Sequence, residues 1–205
     1  MHFISNDIIS LSDTENQKSF SNERYLRKIL TEKEFMTVRQ NTSSPHLPYV
    51  YWTCKECAYK IAMKKGFEKN FAPQCYEVEI SCHEESNTNN IFTGTVLFNE
   101  TNVFFKTEIF PEHISSVAST VKKEILRMVH FVGTTTGTDQ KKVMRTHIIE
   151  SLSSYFKKEE SEFDICKTEN GIPYVVIKNC INVPDISFSH DGDYFAYAFS
   201  TNNLS

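Results

Sequence analysis

The side chains best suited to chemistry in this chain lie in Trp52-Thr53-Cys54-Lys55-Glu56-Cys57-Ala58-Tyr59-Lys60. The apolar positions here follow a helical period. Glu56 and Lys60 stand four apart, so a carboxylate and an ammonium are neighbours on one helical face. Such a pair is most often a weak, solvated ion pair. Two remote stretches give it more interest. Ser5-Asn6-Asp7 sets an acid in an apolar strand, where a charge needs a partner, a metal or a bend into solvent. Asp7 is therefore either a strand-end turn residue or a metal ligand. Ser187-Phe188-Ser189-His190 places hydroxyl and imidazole groups where a strand runs into a tight turn. A histidine at a turn usually has no special role, yet those donors together can hold an anion. Lys64, Lys65 and Lys69 form a basic rim beyond Glu56, which ordinary helix-end cations would also explain.

The elements that must position these groups follow from periodicity and punctuation. Residues 3–11 read as a short strand and 13–22 as a polar loop. A short helix is expected over Arg24–Leu30. Another starts at Thr31, a good N-cap, where Glu34 completes a capping box. Arg24, Arg27 and Lys28 form a basic cluster, serving either solubility or docking to an acidic partner. Pro45 and Pro48 precede the central helix over 49–65, which ends in Lys64-Lys65-Gly66. Tyr76–Cys82, Ile91–Phe98 and Val103–Phe110 read as an antiparallel meander with polar linkers at Glu84–Asn90 and Asn99–Asn102. Ile114, Val117, Val121, Ile125, Met128 and Val129 predict a helix over 112–132. Gly133–Gly137 is a loop without the lysine and hydroxyl of a phosphate loop. A second helix follows over 139–158. Two hairpins close the chain: Phe163–Lys167 with Ile172–Lys178 around Asn170-Gly171, and Ile186–Ser189 with Tyr194–Ser200 around Asp191-Gly192. The last five residues are expected to fray. The class is α+β, and no internal repeat is visible.

The chain has 205 residues, which suits one domain, and 40% are hydrophobic, enough for a core. The net charge of −4 disfavours a general nucleic-acid binder, and an anionic ligand would need a locally basic site. No apolar run approaches the roughly 18–20 residues that span a bilayer, so no membrane role is expected. The first residues lack the basic segment of a signal peptide, which makes the cytoplasm the default. Cys54 and Cys57 make a C-x-x-C without the second ligand pair that structural zinc needs, and packing thiols are the expectation over a metal or redox pair.

Taken together and in order, the motifs resemble the 4′-phosphopantetheinyl transferase superfamily, and more closely its short, holo-acyl-carrier-protein-synthase type. The family hallmark of an aromatic residue, then Lys-Glu and a lysine four residues after the glutamate is matched by Trp52, Lys55, Glu56 and Lys60. Its opening strand with Gly-x-Asp is matched by Ser5-Asn6-Asp7, except that Ser5 stands where glycine is usual. Its Arg-x-Leu helix and following Thr-x-x-Glu are matched within Arg24–Glu34. Its Gly-x-Pro strand is matched by Gly171-Ile172-Pro173, and its Ser-x-Ser/Thr-His turn by Ser187–His190. Cys57 replaces a usual alanine or serine, a mild change. The likeness covers 3–71 and 163–200, so 1–205 is read as a single domain with 72–160 as an insertion holding the meander and two helices.

The resemblance implies a reaction. The 4′-phosphopantetheine arm of coenzyme A passes to a serine of an apo carrier protein, such as acyl carrier protein, and adenosine 3′,5′-bisphosphate leaves. Asp7 and Glu56 would hold Mg²⁺, and Glu56 would also take the serine proton. Lys60 would face the pyrophosphate or the attacking hydroxyl. Lys55, about 100° around the helix from Glu56, would reach a phosphate or only solvent. Lys64 would contact coenzyme A, and Ser189 and His190 its 3′-phosphate. Arg24, Arg27 and Lys28 would dock the acidic carrier. In the short type, neighbouring subunits share each site, so a homo-oligomer such as a trimer is expected. The alternatives are a non-catalytic module of the same fold that binds coenzyme A or the carrier, and a thiol or metal protein built on Cys54 and Cys57.

Overall fold

The computed structural model describes residues 2–85, 90–135 and 139–201. The expected linker at 84–90, the 133–137 loop and the fraying last five residues fall partly outside them. The chain is α+β, with antiparallel strands packed on helices. Strand β1 (Ile4–Ser10) is followed by three short helices, α1 (Thr14–Ser21), α2 (Glu23–Ile29) and α3 (Glu32–Gln40), and by the long α4 (Leu47–Lys64). Strands β2 (Glu77–Glu85), β3 (Asn90–Phe98), β4 (Thr101–Ile109) and β5 (His113–Ser119) complete a five-stranded sheet in the order β1-β5-β4-β3-β2. Then come β6 (Val129–Thr134), α5 (Gln140–Phe156), β7 (Phe163–Lys167), β8 (Pro173–Ile177), β9 (Ile186–Asp191) and β10 (Tyr194–Phe199). These form a β6-β10-β9 sheet and a β7-β8 ribbon.

Much of this follows from local chemistry. Thr31 and Glu34 form the expected reciprocal capping box of α3. Pro48 sits in the first turn of α4, where its missing N–H costs nothing. Gly66, with φ of 88°, takes the left-handed position just past the helix end. The expectation of a loop at 13–22 is corrected: Asp13 caps α1 by accepting from the Glu15 and Asn16 N–H groups, and Phe20 anchors the helix by stacking on Tyr49. Only Phe20 of this polar helix is buried, so its period carried no signal.

The expected helix over 112–132 does not exist. The segment holds β5, a short 3-10 turn over Lys122–Leu126, and the start of β6. Ile114 and Ala118 pack into the core against α4, whereas Val117 packs on the other face with Ile4, Met128 and Ala198. A strand covered on both faces loses the two-residue alternation, and its apolar residues mimic a helical spacing.

The architecture repeats where the sequence does not. In each half a strand leads into a helical segment, and that strand pairs antiparallel with the last strand of its half, β1 with β5 and β6 with β10. The 72–160 segment therefore supplies partners to both sheets. One core lies between α4 and the five-stranded sheet, and another between α5 and the later strands. Among the described residues, no helix is long and apolar enough to cross a membrane.

The halves meet along β1. Its Ile4, Asn6 and Ser10 N–H groups donate to Asp185 Oδ2 (2.7 Å), Ser187 Oγ (3.1 Å) and Asp191 Oδ2 (2.7 Å). The sequence offset is 181 in every case, so β9 follows β1 in the same direction. Side chains rather than a backbone ladder satisfy this edge of β1.

Candidate functional site

Alternation along β1 sorts its polar residues. Ser5 and Asp7 face α4, where Ser5 Oγ donates to the Cys57 carbonyl and Asp7 Oδ1 accepts from Lys60 Nζ at 2.8 Å. Lys60 Nζ also donates to the Asn6 carbonyl at 2.8 Å. Asn6 faces the other way, and its Nδ2 donates to Ser189 Oγ at 2.9 Å. The strand thus carries its acid to the helix and its amide to the Ser187–His190 hairpin.

Glu56 stands one turn before Lys60 and makes no side-chain hydrogen bond or ion pair among the described residues. Burial, then the charge of Asp7, raise its carboxyl to about 7, against the pull of Lys60. Burial likewise raises Asp7 above the usual carboxylate range, with the Lys60 ammonium holding it back. Burial disfavours the Lys60 ammonium, but the charges of Asp7, Cys57 and Glu56 outweigh it and raise its pKa. The result is a proton acceptor poised near neutrality beside a firmly charged ammonium.

Two cavities adjoin this stripe. One of about 390 Å³ is lined by Tyr59, Lys60, Lys69, Lys167, Gly171 and Pro173, among others. The second, of about 530 Å³, is lined by Lys141, Lys142, Arg145, Lys167, Ser189 and His190, over an apolar floor that includes Ile148. Lys167 and Phe188 line both. The pair forms a cationic surroundings for an elongated anion, with His190 exposed at its wall. The cations of α5 and Lys167 were not singled out from the sequence. On a helix surface or a strand end they look like ordinary solubility charges, and only the fold turns them toward His190.

Two expected ligand contacts are corrected by geometry. Lys55 reaches neither a phosphate nor solvent. Its fully buried amine bonds Glu34 Oε2 at 2.7 Å and the Pro73 carbonyl at 2.9 Å. Lys64 lines the first cavity, but its amine donates to the Ile4 carbonyl, Asp185 Oδ1 and the Ile186 carbonyl at 2.7 to 2.8 Å. All three of its protons are used in joining α4, β1 and β9. Arg27 of the expected docking cluster is engaged by Glu23 and Glu32 and lies over the Phe35 ring, while Arg24 and Lys28 are exposed. Tyr25, on the same helix, is close enough to Glu56 for that charge, after burial, to raise its phenol. Cys54 and Cys57 are buried on the core side of α4, and burial pushes the Cys54 thiol up to about 12, far from a reactive thiolate.

The hairpin and the Asp7–Glu56 stripe belong to one chain here, so a second subunit is not required to bring them together. Among the described residues, no group of three or more His, Cys, Asp or Glu could hold a metal ion. The available donors are the two carboxylates of Asp7 and Glu56. The Asp7 charge raises the proton affinity of Glu56, a strain that a divalent cation between them would relieve. Mg²⁺ commonly takes one or two carboxylates and completes its shell with substrate phosphates and water, so this donor set fits it.

A family model described as the 4′-phosphopantetheinyl transferase superfamily matches residues 4–118, from β1 through β5. That is more than half of the 205 residues, and it contains Asp7, Glu56 and Lys60. No curated protein matches the chain.

Proposed function

This chain belongs to the 4′-phosphopantetheinyl transferase superfamily, and we propose that it transfers the phosphopantetheine arm of coenzyme A to a serine of an apo carrier protein. The observation that carries the reading is the convergence, within one chain, of the Asp7–Glu56–Lys60 stripe with the cationic groove ending at Ser189 and His190. Lys141, Lys142, Arg145 and His190 suit the 3′-phosphate, and Lys60, Lys69 and Lys167 suit the pyrophosphate.

The serine oxygen attacks the phosphorus that bears pantetheine. Its bond to the bridging oxygen breaks, and adenosine 3′,5′-bisphosphate leaves. The serine proton passes to Glu56, whose carboxylate is populated above about pH 7. Lys60 holds positive charge where negative charge builds on the phosphoryl oxygens. Asp7 fixes the Lys60 amine at 2.8 Å. Asp7 and Glu56 would hold Mg²⁺, which supplies further neutralisation of the phosphoryl oxygens. Arg24 and Lys28, exposed beside Tyr25, suit an acidic carrier.

The test is mass spectrometry of an apo acyl carrier protein incubated with this protein, coenzyme A and Mg²⁺, with Glu56→Gln in parallel. A mass gain of one phosphopantetheine arm with the wild type alone supports the reading. No gain on several unrelated carriers, despite coenzyme A binding, would replace it with a non-catalytic binding module.

A further inference from the structure

Asn6 stands at the meeting point of the two halves. It is fully buried, and its backbone and side chain reach three neighbours. The backbone N–H donates to Ser187 Oγ at 3.1 Å, and the backbone carbonyl accepts from Lys60 Nζ at 2.8 Å. The side-chain Nδ2 donates to Ser189 Oγ at 2.9 Å. The other side-chain atom, Oδ1, is buried with no hydrogen-bond partner among the described residues. Native proteins rarely keep such an atom without a reason, because an apolar residue of the same shape would avoid it. An asparagine here therefore points to a role in the site as well as in joining the halves.

We infer that Asn6 is a positioning residue that turns the Ser189 hydroxyl proton outward, into the cationic groove, where it donates to a phosphate monoester. A serine hydroxyl has one proton and two acceptor lone pairs. The Asn6 amide occupies a lone pair of Ser189 Oγ from the inner side, so the proton is not spent there. Ser189 is itself buried, yet it lines the groove beside His190, Lys141, Lys142 and Arg145. A hydroxyl held in this way is an uncharged donor of fixed direction among cations. It suits the terminal phosphate of a ligand rather than the bridging phosphates near Lys60. The inference rests on the reading that the groove takes coenzyme A, whose 3′-phosphate is such a group.

The experiment is calorimetric binding of coenzyme A and of 3′-dephospho-coenzyme A to wild type, Asn6→Asp, Asn6→Leu, Ser189→Ala and the double variant Asn6→Leu/Ser189→Ala. Aspartate offers only acceptors, so it turns the Ser189 proton inward, and leucine keeps the shape while removing the amide donor. The wild type should prefer coenzyme A. Asn6→Asp and Ser189→Ala should each lose about tenfold of that preference, the scale of one hydrogen bond to a charged group, and Asn6→Leu, which offers no inner acceptor but frees the hydroxyl to rotate, should lose part of it. The double variant should lose no more than Ser189→Ala alone. Affinity for the dephospho ligand should stay unchanged, a pattern that a general loosening of the halves would not give. Equal losses for both ligands, or a preference that survives both Asn6 variants, would overturn the role of Asn6 while leaving the coenzyme A reading intact. A wild type without any preference for the 3′-phosphate would overturn that reading and this inference with it.

Discussion

Replacing Glu56 with glutamine should abolish transfer and yet make the protein more stable. The Glu56 carboxyl is raised from 4.5 to about 7 by burial, then by the Asp7 charge, with Lys60 opposing. A shift of that size corresponds to about 3 kcal/mol at ~1.36 kcal/mol per pKa unit. Glu56 is half-buried, so solvent screening brings the expected effect to about 2 kcal/mol. The folded state keeps this proton to a higher pH than the unfolded chain does. Stability therefore falls as pH rises from 4.5 through about 7, and the loss is complete above that window. Glutamine has no charge to bury at any pH and escapes the loss. At about pH 8, in a chelating buffer, E56Q should melt about 4–8 °C above wild type, while near pH 4 the two should melt together. Thermal melts followed by circular dichroism across this range decide the matter. A difference of the same size at both ends would assign it to packing, and a less stable E56Q at high pH would refute the charge argument. Adding Mg²⁺ and coenzyme A at about pH 8 should raise the wild-type melting temperature and narrow the gap, because binding favours the folded state that offers both carboxylates.

Lys64→Met should lower the urea midpoint by the equivalent of about 3–5 kcal/mol, since it leaves Asp185 and two carbonyls without their shared donor. A loss under about 1 kcal/mol together with a raised KM for coenzyme A would return Lys64 to the ligand site. Mixing E56Q chains with His190→Ala chains should restore no activity, because the hairpin lies along β1 of its own chain. Recovery in the mixture would show that sites are built from two subunits.

The sequence made α4 legible because its signals are local: Pro48 at the start, Gly66 at the end and an apolar period between. The same holds for the α3 capping box, since both of its partners lie within one turn. What Glu34 does next was not legible. One of its oxygens takes the Val78 N–H and the other takes both the Thr31 N–H and the Lys55 amine. That arrangement depends on β2 and α4 crossing α3, which no spacing encodes. Lys55 and Lys64 were misplaced for the same reason. Helical geometry gives the direction of a side chain, but the neighbour that covers it comes from another element. That Glu56 and Lys60 share one face of α4 was legible because their spacing alone sets it, whereas the Asp7–Lys60 contact comes from β1 packing on that face. The cations of α5 that line the groove beside His190 were not legible, because surface lysines look alike until a fold selects among them. The failed helix over 112–132 marks another limit, since burial on both faces erases the period on which the reading depends.

The bonds from β1 to the 185–191 segment have a consequence for how the protein comes into being. Each closes a loop of 181 residues, among the most distant contacts in the chain. Contacts so far apart cost the most loop entropy and tend to form late. Asp7, Glu56 and Lys60 are all available once the ribosome has released α4. Ser189 and His190 arrive only with the last strand pair. A nascent or cleaved chain can therefore assemble Asp7, Glu56 and Lys60 without the Ser189–His190 end of the groove. On the proposed reading such a chain would lack the 3′-phosphate end of its groove, and completing the fold would also complete the site.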